Sequence, residues 1–215
     1  MDILVLCDDF WHPAEIVKKG LEPLAGEEYR FDFVMDAKDI LTPEMIRQYP
    51  LIMNCKSNCL TSGNQAEWFE EGVTEVMPRD FMEYVKNGGG FLSVHSGNTS
   101  KENDPYTDFI GNYFIFHPPR CEVEIKITGK HPVTEGVNDF TIRDEHYQIR
   151  VTARDAKLLF QTVSASGGVQ TGGYVREMGK GRICVMTPGH ILSVWHHQEY
   201  QKLLKNAIDW CVRKI

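Results

Sequence analysis

Eight histidines are the residues of this chain best suited to chemistry. An unperturbed imidazole titrates near pH ~6.5, so histidine can act as base, acid or metal ligand in neutral water. His12 follows Asp8-Asp9-Phe10-Trp11, His95 follows an apolar run, His117 precedes Pro118-Pro119, and His190 closes Pro188-Gly189-His190. The run Asp144-Glu145-His146-Tyr147 adds carboxylates, and Glu145 could orient an imidazole or join it in holding a divalent metal. Trp11, Tyr147 and Trp195 could stack on the apolar face of a sugar; tryptophans so placed also pack cores. Asp9 could serve the site beside His12, and Asp8 and Asp9 could equally cap a following helix. His131 before Pro132 reads as a turn residue, His196 and His197 as solvated residues at a helix start, and His146 as a surface side chain.

Several other chemistries lack their residues. No G-x-G-x-x-G follows a strand and no G-x-x-x-x-G-K-[ST] occurs, so no nucleotide cofactor is expected. Gly88-Gly89-Gly90 precedes an apolar run instead of opening a helix, so it is not a phosphate cradle. Cys55 and Cys59 have no second pair to complete a structural zinc site. There is no G-x-S-x-G elbow; Val94-His95-Ser96-Gly97 holds the corresponding strand-to-turn place.

These groups need elements to bring them together. Apolar runs at 3–7, 29–34, 51–53 and 91–94 suit fully buried parallel strands. Helical spacing after Pro13, the Thr42-Pro43 pair and the stretch after Pro78 place helices between them. The alternation at 121–128 predicts a half-buried antiparallel strand. Further strands are expected at 140–143 and 157–162, and a hairpin at 173–178 and 182–187 turning at Gly179-Lys180-Gly181. Tyr200, Leu203, Leu204, Ala207, Ile208 and Cys211 form the apolar stripe of a last helix. The connection over 55–76 is long enough to be functional or an insertion. Alternating strands and helices followed by antiparallel strands indicate an α/β fold in a single domain over 1–215. In such a sheet ligands bind beyond the carboxyl ends of the strands. There stand Asp9, Trp11 and His12, Asn54 and Lys56, His95 and Ser96, and His190, while connections carrying His117 and Glu145 could cover the rim.

The chain has 215 residues, 42% of them hydrophobic, which is enough for a substantial core. Its net charge of −7 argues against nucleic acid as a partner. No apolar run spans a membrane and the N-terminus lacks an export signal, so reduced cysteines in a cytoplasm are expected.

The motifs resemble the ThuA-like (trehalose-utilisation) family. Gly88-Gly89-Gly90-Phe91-Leu92-Ser93-Val94-His95 is similar to its GGGF-x-x-x-H signature, joined by Phe109-Ile110-Gly111-Asn112-Tyr113-Phe114 and His117-Pro118-Pro119. His131-Pro132-Val133-Thr134-Glu135-Gly136-Val137, the Phe140–Tyr147 stretch, Arg176-Glu177-Met178-Gly179-Lys180-Gly181-Arg182, Gly189-His190 and Ala207-Ile208-Asp209-Trp210 follow in order. The resemblance implies a flavodoxin-like, class I glutamine amidotransferase-like three-layer sandwich with a mostly parallel central sheet and added antiparallel strands. It also implies a role in breaking down trehalose and other glucosides. The amidotransferase nucleophile is a cysteine at the position of His95, so that chemistry is not open to this chain. His190 falls where such folds place a catalytic histidine, and Ile191 follows where the family commonly has an acid.

The expectation is an enzyme that acts on a sugar or 3-keto-sugar by histidine acid/base chemistry. His95, Glu145 and His190 are its candidate catalytic residues, and Asp9, Trp11, His12, His117, Tyr147 and Trp195 its candidate substrate contacts. A divalent metal is an open cofactor, a small carbohydrate the expected partner, and a homo-oligomer an open assembly. A non-catalytic carbohydrate-binding or regulatory protein and a metal-dependent hydrolase are the alternatives.

Overall fold

The computed structural model describes residues 1–35, 37–57, 69 and 74–215. Most of the 55–76 connection, with Cys59, lies outside the described residues.

The chain begins β1 (Asp2–Leu6), α1 (Ala14–Leu21), β2 (Arg30–Val34), α2 (Ala37–Ile40), α3 (Pro43–Arg47) and β3 (Leu51–Asn54). It continues through α4 (Pro78–Lys86), β4 (Gly90–Val94), α5 (Pro105–Ile110), β5 (Asn112–Phe116), β6 (Cys121–Ile127) and β7 (Phe140–Asp144). The remainder is β8 (Gln148–Val151), β9 (Lys157–Ser164), β10 (Gly168–Met178), β11 (Gly181–Met186), α6 (Leu192–Trp195) and α7 (Gln198–Cys211).

One nine-stranded sheet runs β2-β1-β3-β4-β11-β10-β9-β6-β7. The pairs β1–β2, β1–β3, β3–β4 and β4–β11 are parallel. The pairs from β11 through β10, β9 and β6 to β7 are antiparallel. The order of the parallel half is that of a doubly wound, flavodoxin-like sheet, whose connections reverse beside β1 and leave a crevice at the strand ends.

Successive side chains point to opposite faces of a strand, so the continuous apolar runs feed two cores. Ile3, Val5, Met53, Leu92, Val94, Cys184 and Met186 pack with Val17 and Leu21 of α1 and Leu203, Leu204 and Ile208 of α7. Leu4, Leu6, Ile52, Phe91, Ile183 and Val185 pack on the other side with Phe81 and Val85 of α4 and Phe109 of α5. These side chains are fully buried or nearly so, each stabilising the fold by roughly 1.5–3 kcal/mol. Helices on both faces make the three layers.

The expected strands and the β10–β11 hairpin form, with β10 extending back to Gly168. Thr42 caps α3 by accepting the Met45 N–H, as its type predicts. One feature goes beyond the expected set: β5 and β8 pair as a separate two-stranded ribbon that carries the chain on either side of the site. No helix among the described residues is long and apolar enough to cross a membrane.

Candidate functional site

The turn after β1 is built on Asp9. Its Oδ1 accepts the backbone N–H groups of Trp11 and His12 and the His12 ring Nδ1 at 2.7 Å, and its Oδ2 accepts the Ser57 N–H. Asp9 is buried, and the His12 contact with these donors outweighs that burial and holds its carboxyl below the usual range. A carboxylate can only accept, so Nδ1 of His12 carries a proton, and Nε2 lies 3.5 Å from the Tyr147 hydroxyl. Asp8 performs the capping role, accepting the Ala14 N–H that opens α1.

The turn after β4 puts His95 in the left-handed region, at φ 47°. Few non-glycine residues adopt this conformation, and it is the strand-to-turn geometry that makes a side chain stand proud of a sheet. His95 is 2% exposed. Its Nδ1 lies 2.8 Å from the Thr187 carbonyl, which again places the proton on Nδ1 and leaves Nε2 bare. Burial pushes this imidazole below its ordinary value.

The turn after β11 is held almost entirely by distant side chains. Tyr200 donates to the Pro188 carbonyl, the Trp195 indole N–H donates to the Gly189 carbonyl, and Asp144 accepts the N–H groups of Gly189 and His190. Gly189 has φ +143°, and a Cβ there would stand 3.1 Å from that of His95, so the position calls for glycine. Burial pushes the Asp144 carboxyl up to about 7 against the pull of its backbone donors. Sequence reasoning placed no role on Asp144; its position at the end of β7, in an acid pair, was the available signal.

Glu145, the next residue, reaches the centre. Its Oε2 lies 3.2 Å from His190 Nδ1, 3.5 Å from His95 Nε2 and 3.6 Å from His117 Nε2. Partial burial raises its carboxyl, and the imidazoles of His95, His190 and His117 outweigh this and hold it below the usual range. Burial and the neighbouring His95, against the pull of Glu145, push His190 down to about 4. At neutral pH Glu145 is therefore ionised while His95 and His190 are uncharged. His12 lies edge-on to both His95 and His190, with ring centroids at 4.9 and 5.1 Å. Tyr147 is stacked between His95 and His117, at 4.1 and 5.5 Å.

His12, Glu145 and His190 of this cluster line a pocket of about 660 Å³ together with Trp11, Phe114, His117, Arg120 and Tyr147, and buried His95 lies behind them. The side chains of His12, His95, Glu145 and His190 could hold a metal ion, their donor atoms all lying within 4.8 Å of one another. Trp11 is 63% exposed at the pocket's edge.

Of the expected site residues, His12, His95, His117, Glu145, Tyr147 and His190 meet, and Asp9 meets them through His12. Trp195 stands behind them and not in the pocket: it is buried, packs against Gly20 of α1, holds the turn below His190, and lines a small cavity with His12, His95 and His190. Lys56 turns away to the Met35 carbonyl, and Asn54 to the Tyr106 hydroxyl. His146 is buried, against the surface reading, because Ser164 and Thr162 of β9 bond both its ring nitrogens. Phe114 of β5 and Arg120 of the β5–β6 connection line the pocket as well; neither is among the expected contacts, although the connection carrying His117 was expected to cover the rim. Cys7, Cys55, Cys184 and Cys211 are buried free thiols; burial pushes Cys7 and Cys211 to about 12, far from a thiolate nucleophile.

Residues 3–211 match the family model described as ThuA: Trehalose utilisation. The chain belongs to the ThuA family. ThuA-like proteins of known structure share its fold: one from Parabacteroides merdae at 18% identity, TM-score 0.74, covering 100% of this chain and 90% of its own. Another, from Bacteroides uniformis, has 20% identity and TM-score 0.71, covering 98% and 91%. A β-galactosidase from Rahnella has a similar region at 12% identity and TM-score 0.64, covering 96% of this ThuA chain and 31% of the enzyme. No curated protein matches the chain.

Proposed function

We propose that this ThuA-family chain is a cytoplasmic enzyme of carbohydrate breakdown, acting on a sugar or 3-keto-sugar by proton transfer. The carrying observation is the Glu145 carboxylate ringed by three imidazoles beneath a pocket with aromatic walls. A pocket of about 660 Å³ falls within the roughly 300–1,000 Å³ usual for small-molecule sites. Trp11 and Phe114 offer flat apolar faces to a sugar ring, Tyr147 backs the wall between His95 and His117, and Arg120 and His117 offer polar groups to the sugar's hydroxyls. A ketone acidifies the neighbouring C–H, so conversion needs a base beside that carbon and an electrophile at the carbonyl.

His117 is the better placed base. Its Nδ1 bonds the Pro118 carbonyl, so Nε2 faces the pocket with a lone pair, and Glu145 at 3.6 Å stabilises the imidazolium that forms. Glu145 and His190 line the carbonyl side, with His95 behind them. The test is proton exchange and turnover of 3-keto-glucosides followed by NMR in deuterated water. His117→Gln and Glu145→Gln are each expected to lose about 10²–10⁴-fold in rate, the usual worth of general acid–base catalysis. Unchanged rates in both variants would refute the assignment. His95 at the amidotransferase nucleophile position favours a second reading, a non-catalytic sugar-binding protein; saturable binding with no exchange and no product would establish that instead.

A further inference from the structure

We infer that His12, His95, Glu145 and His190 form a binding site for one divalent transition-metal ion of the zinc type. The inference deepens the enzyme reading, because such an ion would be the electrophile at the sugar carbonyl, and it stands on four observations of its own.

The first is distance. Metal–nitrogen and metal–oxygen bonds of ~2.0–2.1 Å put the edges of a tetrahedral site at about 3.3–3.4 Å. Glu145 Oε2 lies 3.2 Å from His190 Nδ1 and 3.5 Å from His95 Nε2. All four donors fall within 4.8 Å of one another, so small side-chain adjustments close the set around one ion.

The second is proton placement. His95 donates from Nδ1 to the Thr187 carbonyl and His12 from Nδ1 to Asp9, so Nε2 is in each the nitrogen left for the centre; that of His12 also meets the Tyr147 hydroxyl at 3.5 Å. Carbonyl–histidine and carboxylate–histidine pairs of this kind orient imidazoles toward metals.

The third is an unmet need. His95 Nε2 and His190 Nδ1 are buried and have no hydrogen-bond partner, although both stand near Glu145. With its proton on Nδ1, His95 turns the Nε2 lone pair on the Glu145 carboxylate, and that pair repels unless something positive lies between them. Converging lone pairs and an ionised oxygen define a cation site better than a hydrogen-bonded one.

The fourth is donor type. Three imidazoles and one carboxylate suit zinc, cobalt, nickel or iron, whereas magnesium and calcium prefer all-oxygen sites. His12, Glu145 and His190 line the pocket, so a substrate oxygen would reach an ion held by them as a fifth ligand. His117 stays outside the set as the base.

The experiment uses the full chain, stripped with a chelator and titrated with Co²⁺, read by its visible absorption, and with Zn²⁺, read by calorimetry. One ion per chain is expected. His95→Gln and Glu145→Gln should each weaken binding at least 100-fold while circular dichroism and melting show a folded chain. Asp9→Asn should weaken it about 10- to 100-fold and leave the cobalt spectrum four-coordinate, since Asp9 acts through His12. His117→Gln should change it less than threefold. A folded parent chain that takes up less than a tenth of an equivalent of zinc overturns the site, as does parent-like cobalt binding in a folded His95→Gln/Glu145→Gln double variant. The two readings separate cleanly. Stoichiometric metal with no conversion of any keto-glucoside keeps the metal site and refutes the enzyme. Conversion by a chain that takes up no zinc does the reverse.

Discussion

Asp144 is the residue on which the position of His190 depends, and its removal has a calculable cost. The side chain is 1% exposed and accepts the Gly189 and His190 N–H groups at 2.7 and 3.1 Å. Asp144→Ala leaves two donors without partners, at roughly 1–3 kcal/mol each, or about 2–6 kcal/mol together. For a chain of this length each kcal/mol lowers the melting temperature by about 2–4 °C, so a fall of about 4–24 °C is expected. Asp144→Asn keeps one oxygen as an acceptor but turns an amide N–H₂ toward the other donor, and should lose roughly half as much. Thermal and urea denaturation measure both values. Hydrogen exchange should show the Gly189 and His190 amides losing protection before the β11 amides do. An Asp144→Ala chain within 1 kcal/mol of the parent (the size of an ordinary surface effect), or an Asn variant less stable than the Ala variant, would refute the reasoning.

His131 makes a prediction about pH. Its Nδ1 accepts the Val133 N–H, which only an unprotonated nitrogen can do. Burial, helped by Lys157 and Arg182, holds its folded-state value below that of the unfolded chain. Protonation therefore favours unfolding: the contribution is complete above pH ~6.5 and fades as pH falls from there toward the folded-state value. His131→Asn retains a capping acceptor and should flatten the pH 7-to-5 stability curve by up to about 1 kcal/mol; parallel curves would count against it. Trp11→Ala should leave the melting temperature within about 1 °C, because the ring is 63% exposed, and weaken glucoside binding about 2- to 12-fold, equivalent to ~0.5–1.5 kcal/mol of ring contact. Unchanged calorimetric affinity would remove Trp11 from the sugar wall.

The parallel half of the fold is legible in the sequence because a strand covered on both faces must be apolar throughout, as residues 3–6 and 51–53 are. The rim follows from it, since knowing where β1, β4 and β11 end is knowing where His12, His95 and His190 stand. The β5–β8 ribbon was not legible: Asn112–Phe116 and Gln148–Val151 are short and lie 32 positions apart at their nearest ends, so no local pattern reports their pairing. Trp195 and His146 were read from their types. Their true surroundings are a glycine 175 positions earlier in the chain and two hydroxyls of β9, contacts that no local pattern reports. The missing acid after His190 is answered in the same way, by Glu145 arriving from the far edge of the sheet.

The four side chains of the centre come from positions 12, 95, 145 and 190, nearly the first and the last turns of the sheet. Contacts so distant in sequence close late in folding, because chain entropy opposes them until most of the structure is in place. A chain emerging from the ribosome, or one opened by heat, thus exposes histidines without presenting the centre. Its appearance marks completion: whatever the centre binds or turns over is engaged only by molecules whose final strand has docked.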